Sequence, residues 1–133
     1  MKRVLFTAIL SIALMACKRE QMGDKSINGS AMSVWKLSEN LADPGDGSGT
    51  FHAVESNKTL VFYTNGTVAC NGDMCSMNIA SDTPSTGTYS ISDSSIASAG
   101  CNGNTIQYQE SEDVLILLYP CIEGCQAKYV RMN

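Results

Sequence analysis

Histidine is nearly absent. His52 is the only one in 133 residues. No G-x-S-x-G, H-E-x-x-H or phosphate-binding loop occurs either. A lone imidazole without a catalytic grouping leaves acyl-transfer, zinc-hydrolase and nucleotide chemistry without their working parts, so no enzyme is expected and no catalytic residue is assigned. Cations are scarce after Asn40, where Lys58, Lys128 and Arg131 face ten carboxylates. Such a surface repels phosphate backbones, so a nucleic-acid partner is not expected. It would not seek an anionic membrane by itself. The longest apolar run, Val4 to Ala16, falls short of the ~20 residues that cross a bilayer as a helix. Beyond residue 33 no window carries a helical apolar stripe, and no repeat is visible.

The first residues are instead those of an export signal. Met1, Lys2 and Arg3 precede the apolar run, the order of a charged end and a short hydrophobic core. Leu14-Met15-Ala16-Cys17 resembles the lipobox of bacterial lipoproteins. That resemblance implies cleavage before Cys17 and acylation of its thiol, with palmitate among the chains. One acyl chain holds a protein only marginally, so stable anchoring takes two or more. Lys18 follows, where an aspartate would suggest inner-membrane retention, so the outer membrane is the expected address. The expected organisation is a signal peptide over 1–16, a lipidated cysteine and polar tether over 17–32, and one domain over 33–133.

Within that domain, short β-rich runs alternate with turn residues. They are Ser33 to Glu39, Thr59 to Tyr63, Thr67 to Cys70, Cys75 to Ile79, Gly87 to Ile91, Ser95 to Ala97, Asn104 to Gln109, Val114 to Tyr119 and Ala127 to Met132. Asn65-Gly66 joins the second and third as a hairpin. Eight or nine strands with regular turns predict an all-β antiparallel sandwich or barrel. The alternation in Gly87 to Ile91 sets Tyr89 and Ile91 inward.

Five cysteines remain after Cys17, and an exported chain meets oxidising conditions. An odd number leaves one thiol unpaired within the chain. Cys121-Ile122-Glu123-Gly124-Cys125 reads as a three-residue hairpin loop, with Gly124 left-handed and the two cysteines opposed. Joining Cys121 to Cys125 and Cys75 to Cys101 leaves Cys70 free. A Cys70–Cys75 bridge around Asn71-Gly72 is the competing arrangement.

Several motifs resemble a group of lipocalin-like lipoproteins from Bacteroidetes. They are Trp35-Lys36-Leu37, Asp43-Pro44-Gly45-Asp46-Gly47-Ser48-Gly49-Thr50-Phe51, Leu60-Val61-Phe62 with Asn65-Gly66-Thr67-Val68, Gly87-Thr88-Tyr89, and Cys121-Ile122-Glu123-Gly124-Cys125 before Lys128-Tyr129. The resemblance runs from about Val34 to the end. It implies a small up-and-down barrel with one open end. It also implies cysteines matching Cys75, Cys101, Cys121 and Cys125, with Cys70 an extra.

In such a barrel Trp35, Phe62, Tyr89, Ile106, Tyr108 and Leu117 are the inward candidates for touching a small apolar ligand, with Trp35 expected to plug the closed end as core. The glycine-rich segment Asp43 to Phe51 links the first two strands and overhangs the open end. Its oxygens at Asp43, Asp46 and Ser48 lack the full series of a calcium loop, so it reads as a turn and no metal is assigned. Cys70, Met74, Cys75 and Met77 form a soft-donor set of the kind that takes Cu(I), but disulfide formation would consume the thiolate. No cofactor is expected. Three functions follow: a ligand-binding module, a filled barrel that contacts another envelope protein, and, weakest, a copper or redox role. Interior volume separates the first two.

Overall fold

The computed structural model describes residues 28–133. The signal, Cys17 and most of the tether lie outside them. The described residues form nine strands: β1 Ala31–Ala42, β2 His52–Ala53, β3 Thr59–Tyr63, β4 Thr67–Cys70, β5 Ser85–Ser90, β6 Ser95–Ala97, β7 Thr105–Glu110, β8 Val114–Tyr119 and β9 Cys125–Arg131. From β3 onward each strand pairs antiparallel with the next. β1 pairs with β3 on one side and β9 on the other, which closes an eight-stranded up-and-down barrel. β2 is a two-residue addition beside Glu39 and Asn40 of β1.

Closure depends on the length of β1. Its first half meets β3, with Trp35 opposite Leu60, and residues from Trp35 to Ala42 meet β9, with Leu37 opposite Tyr129. A register shift in each ladder bends the strand between its two partners. Closing the sheet removes the unpaired edges that an open sheet would expose. The β3–β4 turn shows the local signal at work. Gly66 takes φ +82° and its N–H donates to Tyr63 O at 3.1 Å, a conformation that glycine adopts without a side-chain clash.

Alternate residues point inward. Trp35 and Leu37, Leu60 and Phe62, Leu115 and Leu117, and Ala127 and Tyr129 are all buried. They join Val68, Ile96 and Ile106 in one core. Fully burying such a side chain stabilises by roughly 1.5–3 kcal/mol. Trp35 Nε1 donates to Ser33 Oγ at 2.9 Å, and the Arg131 guanidinium stacks 4.3 Å over its ring. An eight-stranded barrel is just wide enough for its own side chains to fill, and here they fill it.

Four local expectations need correction. The first strand starts at Ala31, two residues before Ser33. Cys75 to Ile79 is loop, not strand, because side chains have captured its backbone. Asp73 Oδ1 accepts from Cys75 N, and Lys58 Nζ donates to Ser76 O and Asn78 O. Ile91 lies beyond the end of β5 and is 74% exposed. In the β8–β9 connection Tyr119, not Cys121, faces Cys125. The loop therefore spans residues 120–124, and Gly124 is not among the residues with positive φ. Between β6 and β7 the chain makes one 3-10 turn, Ala99–Cys101, and leaves it through Asn102 at φ 52°.

Candidate functional site

The barrel has two unlike ends. The chain enters at one, beside the turns 64–66, 91–94 and 111–113. The other carries the long connections 43–58, 71–84, 98–104 and 120–124.

The long-loop end is organised around Lys58. It sits one residue before β3 and is 0% exposed. Its ammonium donates to Ser76 O at 3.0 Å and Asn78 O at 2.8 Å. Burial pushes its pKa down, while nearby Cys70 and Asp73 oppose that shift. Two main-chain acceptors satisfy the buried cation and fold the 71–84 connection over the mouth. Asp73 completes the clamp. Its carboxylate accepts from Ser76 Oγ at 2.7 Å and Cys75 N at 2.9 Å. Those bonds, Ser76 first, hold its pKa below the usual carboxylate value.

Disulfides fix this arrangement. Cys75 is bonded to Cys101, which ties the 71–84 connection to the 3-10 turn. Cys121 is bonded to Cys125 across the β8–β9 loop. Among the described residues Cys70 is the free cysteine, buried in the core. Burial raises its pKa, which keeps it a thiol rather than the reactive thiolate. The Cys70–Cys75 alternative does not occur. With Cys75 bridged and Met74 fully buried, the Cys–Met set lacks the open thiolate that a copper site requires.

Between the two disulfides lies a cleft of about 330 Å³, lined by Met77, Ile106, Tyr119, Pro120, Asn102 and Asn104 together with the bridged cysteines. Tyr119 is its most informative wall. The hydroxyls of Tyr119 and of neighbouring Tyr129 are buried and, among the described residues, have only each other within reach. Burial raises the pKa of both. The buried side-chain oxygen of Asn40 is unpaired among the described residues, while its Nδ2 donates to Met77 O at 2.9 Å. An unmade buried hydrogen bond costs ~1–3 kcal/mol, so this end holds polar capacity that the fold does not use.

The glycine-rich connection stands beside the cleft as a self-capped turn. Both Asp43 carboxylate oxygens accept from its own loop: Gly45 N at 2.7 Å, Gly47 N at 3.0 Å and Gly49 N at 2.8 Å. These bonds, Gly49 first, lower the Asp43 pKa. Gly45 and Gly47 adopt φ +96° and +78°, which explains their residue type. Asp43 N donates to Gly124 O at 2.8 Å, fastening the turn to the Cys121–Cys125 loop. His52 is exposed.

At the chain-entry end three of the expected ligand-contacting residues come together. Phe62, Tyr89 and Tyr108 line a depression of about 430 Å³. Phe62 packs edge-on against Tyr89 at 4.9 Å and Tyr108 at 6.0 Å. Their hydroxyls are held by Tyr63 O and Ser90 O. Trp35 and Leu117 lie in the sealed core and line neither hollow. Ile106 does reach the disulfide cleft. Sequence reading missed Lys58 and Tyr119. A single lysine before a strand carries no mark of burial, and Tyr119 stood only as the end of an apolar run.

Comparison with family models, with curated proteins and with solved structures found no match.

Proposed function

We propose that this protein is a lipid-anchored lipoprotein of the cell envelope, held at the outer membrane through acylated Cys17, and that its barrel is a non-catalytic module binding a small, largely apolar ligand in the disulfide cleft. The Bacteroidetes lipocalin-like resemblance and the lipobox support the address and the barrel type. The observation that carries the ligand reading is the cleft itself. Its apolar walls, Met77, Ile106 and Tyr119, stand beside the polar side chains of Asn102 and Asn104. At about 330 Å³ it matches the lower end of small-molecule sites, ~300–1,000 Å³. The ligand sits at the mouth, because Trp35, Leu60, Leu115, Leu117 and Tyr129 occupy the barrel axis.

That filled axis favours a second reading, in which the rigid barrel presents its loops to another envelope protein and carries no ligand. Native mass spectrometry of protein taken from its own host separates the two. The ligand reading expects acyl mass on Cys17, two disulfides and a retained small molecule. Met77→Trp, made at a half-buried loop position, should expel that molecule while leaving the acyl mass and fold intact. A ligand-free barrel co-purifying with a protein would overturn the ligand reading in favour of the second.

A further inference from the structure

Exposed apolar side chains gather where the chain enters the barrel. Of the six large ones among the described residues, Met32, Ile91, Val130 and Met132 lie on segments reaching this end. Met32 is 52% exposed, Ile91 74% and Met132 46%. Met32 and Ile91 also line the hollow shared by Phe62, Tyr89 and Tyr108, so the rim continues into an aromatic floor. Met132 N donates to Val34 O at 2.8 Å, which holds the C-terminal residues beside the start of β1.

The attachment point is at the same end. Ser30 O accepts from Thr64 N at 3.0 Å, and Ser30 N donates to Thr64 Oγ1 at 3.3 Å. The first described residues are therefore fastened at the β3–β4 turn. Only the residues between Cys17 and Asn28 separate them from the lipidation position. At ~3.5 Å per residue they reach at most ~40 Å. The charges here are mostly negative. Asp93, Glu110, Glu112 and Asp113 lie on this end's turns and strand ends, and among the described residues only Glu110 has a cation, Arg131 at 3.2 Å.

We propose that this end docks on a zwitterionic lipid surface, with Ile91 and Met32 entering the headgroup layer, so that the disulfide cleft faces away from the membrane. This rests on the acylation of Cys17 proposed above. The short tether holds the end near the lipid, the apolar rim gains by leaving water, and the unpaired carboxylates disfavour an anionic surface.

The methionines provide the readout. The mature acylated chain is reconstituted into phosphatidylcholine vesicles and oxidised briefly with hydrogen peroxide, and each methionine is quantified by mass spectrometry. Met77, in the cleft at the far end, is the internal reference. Docking predicts that Met32 and Met132 oxidise several-fold more slowly, relative to Met77, than in the unacylated Cys17→Ala chain free in solution. Ile91→Asp, a change at an exposed turn, should abolish that protection without unfolding the barrel. Unchanged ratios on an acylated chain overturn the docking alone. Lack of acyl mass on Cys17 overturns the anchor and this orientation with it. Protection in phosphatidylglycerol vesicles as strong as in phosphatidylcholine overturns the charge argument.

Discussion

Replacing Cys75 and Cys101 together by alanine should destabilise the barrel more than replacing Cys121 and Cys125. The first bridge spans a separation of 26 residues and the second a separation of 4. In the chain-entropy account a cross-link stabilises by restricting the unfolded chain, with a logarithmic dependence on loop length. The separations give ~3.5 kcal/mol for Cys75–Cys101 and ~2 kcal/mol for Cys121–Cys125. A domain of this size has ~5–15 kcal/mol in total, so the first double variant should retain ~1.5 kcal/mol less of it than the second. The folded-state consequences point the same way. Losing Cys75–Cys101 frees the connection that supplies both acceptors of buried Lys58, whereas losing Cys121–Cys125 loosens an exposed loop. Equilibrium urea unfolding, followed by the fluorescence of Trp35 as the sole tryptophan, measures both. A midpoint drop for the short-loop variant equal to or larger than that for the long-loop variant would refute this reasoning.

Three other outcomes are expected. Cys70 is buried and its pKa is raised, so iodoacetamide at pH 8 should label it at least ~10²-fold more slowly in the native domain than in urea, reflecting the small unfolded fraction. Comparable rates would contradict its burial. Asp43 has a folded pKa below its unfolded value of ~3.9. It therefore contributes stability above that unfolded value, and the contribution disappears as pH falls through the folded one. The stability gap between wild type and Asp43→Asn should thus be open at pH 7 and narrow in acid, as urea melts at the two pH values would show. Trp35→Ala empties the site under Arg131 and opposite Leu60, and should cost ~3–5 kcal/mol, read by circular dichroism through urea unfolding. A loss below ~1 kcal/mol would show that Trp35 is not core.

The parts of the fold visible in the sequence were those set by local chemistry. Thr59–Tyr63 and Val114–Tyr119 are dense in β-formers and end at turn residues, and both form strands with the expected bounds. Asn65-Gly66 marked its hairpin because its turn needs a glycine at positive φ. Elsewhere the deciding interaction was distant. Cys75 to Ile79 alternates like a strand, yet the ammonium of Lys58 and the carboxylate of Asp73 take its backbone groups. Asp73 lies two residues away, but Lys58 is 18 and 20 residues from its acceptors, and nothing nearby in the chain announces that part of the capture. Ile91 continues the alternation of β5, but β5 ends one residue earlier and the side chain turns outward.

The candidate site was legible to a smaller extent. Phe62, Tyr89 and Tyr108 were recognised as inward residues and do meet, whereas Trp35 and Leu117 share their polarity pattern but sit deeper. Side-chain depth along a barrel axis depends on the register of β1 against two partners, which no single strand encodes. The disulfide cleft could not be read from spacing, since it forms only when the 71–84 and 120–124 connections meet at one mouth. The hydroxyl of Tyr119 becomes notable only once it is seen buried beside that of Tyr129.

Closure of the sheet is the claim on which the filled axis, the two unlike ends and the cleft all depend. Cross-strand nuclear Overhauser contacts between β1 and β9 test it directly. A closed barrel predicts backbone contacts at Leu37 with Tyr129 and at Asn40 with Ala127, alongside those of Trp35 with Leu60. Contacts from β1 to β3 alone, with β9 unpaired on that side, would contradict the account.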